Sequence, residues 1–181
     1  MSGARTASGR RRGGRARRRA RYAVALGSLS LAACDVGHPG RVTTPADSAA
    51  GEVAFRLVGP NEAALVVPVE LNGQGPYDFI LDTGATFTCV ADSTAARLQL
   101  PERRLVGGIG VGVGGAGRLR LATVDSLRIG NARAFDVPVC LLDLSHTRLL
   151  GTRIDGLLGL NVLKEFRVTL DFDRNVVRLA E

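Results

Sequence analysis

From Glu52 onward, apolar and polar positions alternate in short runs that are broken by Gly, Asn and Asp. That is the period-two signature of half-buried strands. The folded part is therefore expected to begin near Glu52, with strands over Val53 to Val58 and Ala64 to Leu71. Asn72-Gly73-Gln74-Gly75 then supplies a turn before Tyr77 to Leu81, which reads as a hairpin. Ser93 to Leu98 has the Ala and Leu content of a short helix, with Asp92 as its cap and Pro101 as its stop. Arg118 to Ile129, where Leu119 and Leu121 alternate with polar neighbours, predicts a further strand. Gly130-Asn131 turns the chain into another, Ala134 to Leu142, whose Pro138 marks an edge or a bulge. Phe166 to Phe172 and Val176 to Leu179, around Asp173-Arg174-Asn175, read as a terminal hairpin. The domain over 52–181 is thus expected to be all β, with one or two short helices.

Length and composition keep this picture to one domain. The chain has 181 residues, of which 45% are hydrophobic and 4% aromatic, enough for a core of Val, Leu, Ile and Ala. Its net charge of +7 suggests nucleic acid until it is divided along the chain. Nine of the 24 basic residues are arginines within 1–21, and no acid precedes Asp35, so the rest holds 15 basic and 17 acidic groups. No nucleic-acid partner is expected. The arginine-rich stretch and the apolar run Tyr22 to Ala33 have the layout of a secretory signal. Leu31-Ala32-Ala33-Cys34 resembles a bacterial lipobox, which makes 1–33 a lipoprotein signal peptide and Cys34 the lipidated first residue. The expected location is exported and membrane-anchored. Residues 34–51, rich in Gly, Pro, Ser, Thr and Asp, read as a flexible linker.

Chemistry concentrates in Phe79-Ile80-Leu81-Asp82-Thr83-Gly84-Ala85, where an apolar strand delivers an acid, a small hydroxyl residue and a glycine to a sharp turn. Asp-Thr-Gly alone is also an ordinary turn. Some 70 residues further on stands Ile154-Asp155-Gly156-Leu157-Leu158-Gly159-Leu160-Asn161-Val162-Leu163, and between the two lies a glycine-rich apolar hairpin, Gly107 to Gly117. A glycine beside an acid lets backbone amides approach the carboxylate. Two carboxylates a few ångströms apart cannot both ionise, so a pair shares one proton and works as base and acid together. The chain has a single Asp-Thr-Gly. Asp155 reads better as a turn acid and Asp92 as a helix cap, so a homodimer with two Asp82 side chains across its axis is the economical source of the second acid.

This order of parts resembles the retropepsin-like aspartic peptidases over about Leu65 to Leu179. The resemblance implies a closed β-barrel-like acid-protease domain in which Asp82, with Thr83 and Gly84, is catalytic. It implies that Leu157-Leu158-Gly159 is a second motif packing beneath the active-site loop, and that Gly107 to Gly117 is a flap. Ala85, Thr86, Ile109 and Gly110 would then contact a polypeptide substrate, with Phe87 as a further wall residue. Viral members often carry an acid and an arginine where this chain has Thr86 and Leu160, so their dimer contacts do not transfer. The implied fold places Cys89 and Cys140 near the cleft floor. A disulfide is expected there, with two buried free thiols as the alternative.

Other chemistries find little support. Gly110-Val111-Gly112-Val113-Gly114-Gly115 matches a dinucleotide fingerprint, but a strand rather than a helix is expected after it. His38 and His146 stand alone, and no Cys or His pair has metal-ligand spacing, so neither a metal nor another cofactor is expected. The expected function is an aspartic endopeptidase acting as a homodimer. The alternatives are a non-catalytic peptide-binding or structural lipoprotein, and a monomer presenting half a site to another partner.

Overall fold

The structure is a computed structural model that describes residues 38–44, 52–112 and 115–180, within the unit Cys34–Glu181. The expected signal peptide and Cys34 lie outside the described residues. Six strands close on themselves: β4 (Ala64–Leu71), β5 (Gln74–Leu81), β10 (Gly156–Leu158), β6 (Cys89–Ala91), β9 (Ala132–Leu142) and β8 (Gly115–Ile129), which pairs both β9 and β4. Closure gives each of these strands a neighbour on both sides over part of its length, and the ring's inward-facing apolar residues fill it. Val67, Val69, Leu71, Phe79, Val124, Val137, Val139 and Leu158 are all buried in one cluster. The all-β class expected from the strand pattern and the closed barrel implied by the resemblance are what the chain adopts.

Three strands extend the ring: β1 (Arg41–Thr43) on β9, β3 (Arg56–Val58) on β4, and β7 (Arg103–Gly112) on β8. A second sheet has the order β11 (Arg167–Asp171), β12 (Val176–Ala180), β2 (Glu52–Ala54). Glu52 ties this sheet together by accepting from Arg174 at 3.0 Å and from Arg178. Its hydrogen bonds to Arg174 and then to Arg178 hold its carboxyl below the usual range.

The β4–β5 hairpin turns on Asn72 and Gly73, with φ of 50° and 73°, so Leu71 pairs with Gln74. Two consecutive left-handed residues match the twist of the flanking strands, as an Asn-Gly pair allows. Elsewhere tertiary contacts redraw what local pattern suggests. Arg41–Thr43, read from composition as linker, forms β1: it lies opposite Phe135 to Arg133, and the Arg41 guanidinium stacks on the Phe135 ring at 4.4 Å. Val53 to Val58 is not one strand, because the chain changes sheet at buried Phe55, whose N–H donates to the Asn175 carbonyl at 2.9 Å. Asp92 does not cap α1 (Asp92–Arg97): Ala91 occupies that position, and Asp92 instead accepts from Arg120 at 2.9 Å. Pro138 stands where β9 is locally an edge, with β8 alone beside it, rather than at a bulge. It falls between the stretches of β9 that β1 and β6 pair, at 133–135 and 140–142, where a missing N–H is tolerated.

Candidate active site

Asp82 follows the last residue of β5, and its N–H continues the ladder by donating to the Leu158 carbonyl at 3.0 Å. The chain then turns sharply. The Gly84 N–H donates to Asp82 Oδ1 at 2.8 Å and the Ala85 N–H to the Asp82 carbonyl at 3.3 Å. A Cβ on residue 84 would stand 3.2 Å from the same Oδ1, tighter than ordinary contact, so glycine gives the carboxylate room beside its amide donor. Asp82 and Ala85 are half-buried, while Thr83, Gly84 and Thr86 are exposed. The loop therefore presents an oriented carboxylate at the surface rather than burying it.

The underside of the loop is fixed by the segment around α2 (Leu160–Leu163). β10 lies between β5 and β6, with Leu157 opposite both Ile80 and Cys89. The Leu160 N–H donates to the Ala85 carbonyl at 2.8 Å and the Asn161 N–H to the Thr86 carbonyl at 3.1 Å. Gly159 donates its N–H to Thr88 Oγ1 at 3.1 Å, and a Cβ there would come within 2.4 Å of the Phe87 carbonyl carbon and oxygen. Buried Asn161 completes the brace: its side-chain oxygen accepts from the Thr88 N–H at 2.7 Å, and its amide nitrogen donates to the Pro138 carbonyl at 2.9 Å. Fully satisfied buried polar groups of this kind fix a single loop conformation. Thr88 and Asn161 were not singled out from the sequence. The available signal was a lone amide inside the otherwise apolar run Leu157 to Leu163.

Cys89 and Cys140 are opposite one another in the parallel pair β6–β9, with Cα atoms 4.4 Å apart, and are joined by a disulfide. They pack with Phe87, Leu121 and Leu157 directly behind the loop. Ile109 and Gly110 lie in β7, opposite Arg118 and Gly117 of β8. The glycine-rich segment is thus a β-hairpin. Gly115 opens a strand rather than a phosphate-receiving helix, unlike a dinucleotide site.

Asp155 is 8% exposed and is committed to structure. Its Oδ1 accepts from the Thr94 hydroxyl at 2.7 Å and from Arg97 at 3.0 Å, and lies 3.1 Å from Arg153 Nε; Oδ2 accepts from the Asp78 N–H at 3.3 Å. A buried carboxylate held by these donors joins α1 to β5 and serves the fold. Among the described residues, the Asp82 side chain hydrogen-bonds the Gly84 amide and meets no second acid.

A sequence model of the aspartyl protease family matches residues 67–162, from the middle of β4 into α2. That span contains the Asp82 loop, the hairpin β7–β8 and the bracing segment. The chain belongs to the aspartyl protease family. Solved structures similar to it include a retropepsin-like aspartic protease from Rickettsia conorii, at 18% identity and a TM-score of 0.47, covering 71% of this chain and 89% of that one. EIAV protease complexed with the inhibitor HBY-793 is similar at 23% identity and a TM-score of 0.44, over 60% of this chain and 93% of the other. The retroviral protease-like domain of Ddi1 from Leishmania major is similar at 21% and 0.41, covering 64% and 87%.

Proposed function

We propose that this family member is an active aspartic endopeptidase that works as a homodimer. The observation carrying the reading is a single half-exposed Asp82, oriented by the Gly84 amide, with no second carboxylate beside it among the described residues. Two such loops facing each other across a two-fold axis supply the missing acid. At close range the two Asp82 carboxylates share one proton. The ionised one removes a proton from water, and the protonated one donates to the carbonyl oxygen of the scissile bond. Exposed Thr83 offers its hydroxyl to the facing loop. Ala85 and Thr86, together with Ile109 and Gly110 of the flap hairpin, line the path of an extended polypeptide; opening and closing of that hairpin admits substrate and excludes water.

Activity per chain falls as the full chain is diluted through its dimer dissociation constant, because a monomer holds one acid. A specific activity independent of concentration defeats the homodimer reading. Persistent dimers without cleavage of any peptide in a proteome-derived library favour the peptide-binding module instead.

The lipobox-like Leu31-Ala32-Ala33-Cys34 supports the companion reading that the domain acts outside the cytoplasm, held at a membrane by acylated Cys34. The membrane-fraction protein is expected to begin at Cys34 and to carry the mass of attached lipid. A peptide running unbroken from the arginine cluster through Cys34 in that fraction overturns it.

A further inference from the structure

We propose that the Cys89–Cys140 disulfide is a redox switch beside the candidate site, holding the Asp82 loop in its working conformation when oxidised and loosening it when a dithiol reduces it. What the switch controls rests on the endopeptidase reading; how it moves the loop does not.

Register puts the disulfide on the side of the barrel wall that carries Asp82. Leu157 lies opposite both Ile80 and Cys89, Cys89 opposite Cys140, and Cys140 opposite Leu121, so all these side chains share one face of the sheet. Asp82 stands two residues beyond Ile80, and its N–H still continues the ladder to the Leu158 carbonyl, so the period of two gives it the same face. The opposite face, with Phe79, Val90 and Leu158, fills the barrel. The disulfide therefore belongs to the surface beside the loop rather than to the main core. Each cysteine keeps 7% of its surface exposed, and Phe87 and Leu157, which pack on the pair, are only half-buried. That is the side from which a small thiolate reaches the sulfur.

The bond is also wired to the loop through Thr88, the residue between Phe87 and Cys89. Its carbonyl accepts from the Cys140 N–H at 2.9 Å, its N–H donates to the Asn161 side chain at 2.7 Å, and its hydroxyl accepts from the Gly159 N–H at 3.1 Å. The next two amides, of Leu160 and Asn161, hold the Ala85 and Thr86 carbonyls. Reduction leaves two thiols directly opposite one another, and these need the separation of non-bonded atoms, about 3.5 Å or more. Leu121, Leu157 and Phe87 are packed around them, so the extra room comes from parting β6 and β9. β6 has only three residues and follows Thr88 directly, so its displacement passes to Thr88 and on to the amides that fix the loop.

The step is thiol–disulfide exchange. A thiolate of the dithiol attacks one sulfur, forming a mixed disulfide and releasing the other cysteine as thiolate; the second thiol then closes on the first, and the reagent leaves as a cyclic disulfide. Cys89 and Cys140 gain two electrons and two protons, and the dithiol loses the same. For an exported chain this keeps the protease silent in a reducing cytosol and turns it on outside.

Reduction of the oxidised full chain in detergent with excess dithiothreitol, at concentrations where it is dimeric, tests the switch. The kcat for peptide falls by about tenfold or more with far-ultraviolet circular dichroism unchanged, and reoxidation restores it. Hydrogen exchange at the Leu160 and Asn161 amides speeds up in the same step. A Cys89→Ala, Cys140→Ala double variant, with neither the bond nor the crowded thiols, gives one kcat with or without reductant. Equal cleavage before and after complete reduction, verified by labelling both thiols, overturns the switch and leaves the endopeptidase reading intact. So does a reductant effect that persists in the double variant. Loss of the circular dichroism signal on reduction makes the bond a staple of the fold and overturns the switch as well. If neither redox form cleaves peptide, the endopeptidase reading fails and exchange decides: faster exchange at Leu160 and Asn161 upholds the switch, and unchanged exchange overturns it.

Discussion

Asp82→Asn removes peptide hydrolysis, with kcat falling by about a thousandfold or more, the scale of losing the acid and base together. The amide keeps an oxygen to accept the Gly84 N–H, which donates to the Asp82 carboxylate at 2.8 Å, so the loop conformation and the dimer survive. The chemistry does not, because Asn neither accepts a proton from water nor shares one with its counterpart. Circular dichroism and sedimentation unchanged from wild type, alongside absent turnover, are the expected result. The wild type shows a bell-shaped pH profile, since one carboxyl must be ionised and the other protonated. An excess of Asp82→Asn chains mixed with wild type suppresses activity by capturing wild-type chains in one-acid dimers. Full activity in Asp82→Asn would mean that the proposed mechanism is wrong and that the reacting groups lie elsewhere in the chain.

Gly159→Ala lowers kcat by about a hundredfold through a residue that offers substrate nothing, because misplacing reacting groups by around an ångström costs on that order. The added Cβ would sit 2.4 Å from the Phe87 carbonyl carbon and oxygen and 2.7 Å from the Thr88 nitrogen. All three are backbone atoms, with no flexible side chain to swing aside, so the loop itself must shift. The movement also strains the Gly159–Thr88 and Asn161–Thr88 hydrogen bonds, and stability falls by about 1–3 kcal/mol, as for overpacking in a core. Gly73→Ala is the comparison. Nothing lies within 4 Å of its added Cβ, and its cost, about 1 kcal/mol, comes from the positive φ of the hairpin turn. Chemical denaturation should place both variants below wild type, while only Gly159→Ala loses turnover in proportion far beyond its stability. Equal kcat in the two variants would separate the loop brace from catalysis.

Alternating strands, the Asn72-Gly73 turn and the two ends of the β8–β9 and β11–β12 hairpins were legible in the chain because each depends on neighbours a few residues apart: a period of two, or a pair of residues that tolerates positive φ. The all-β class followed from those local signals. The Asp82-Thr83-Gly84 turn was legible as a motif for the same reason, since strand, acid and glycine are consecutive. Partners far apart in sequence were not. Val53 to Val58 has an unbroken strand pattern, and only the competition of two sheets for its ends divides it at Phe55. Arg41–Thr43 has a linker's composition, but the open edge of β9 and the Phe135 ring give its backbone and its arginine partners that water would otherwise supply. Asp92 suits a helix cap by type, and Arg120, 28 residues away, claims it instead. Asp155 stands in a turn in the sequence and at a buried junction in the fold, where Thr94, Arg97 and Arg153 converge to offset the cost of burying its charge. The brace of Thr88, Gly159 and Asn161 beneath the Asp82 loop joins residues 71 to 73 positions apart, and a hydrogen bond of that reach exists only once the barrel has closed and brought β10 between β5 and β6.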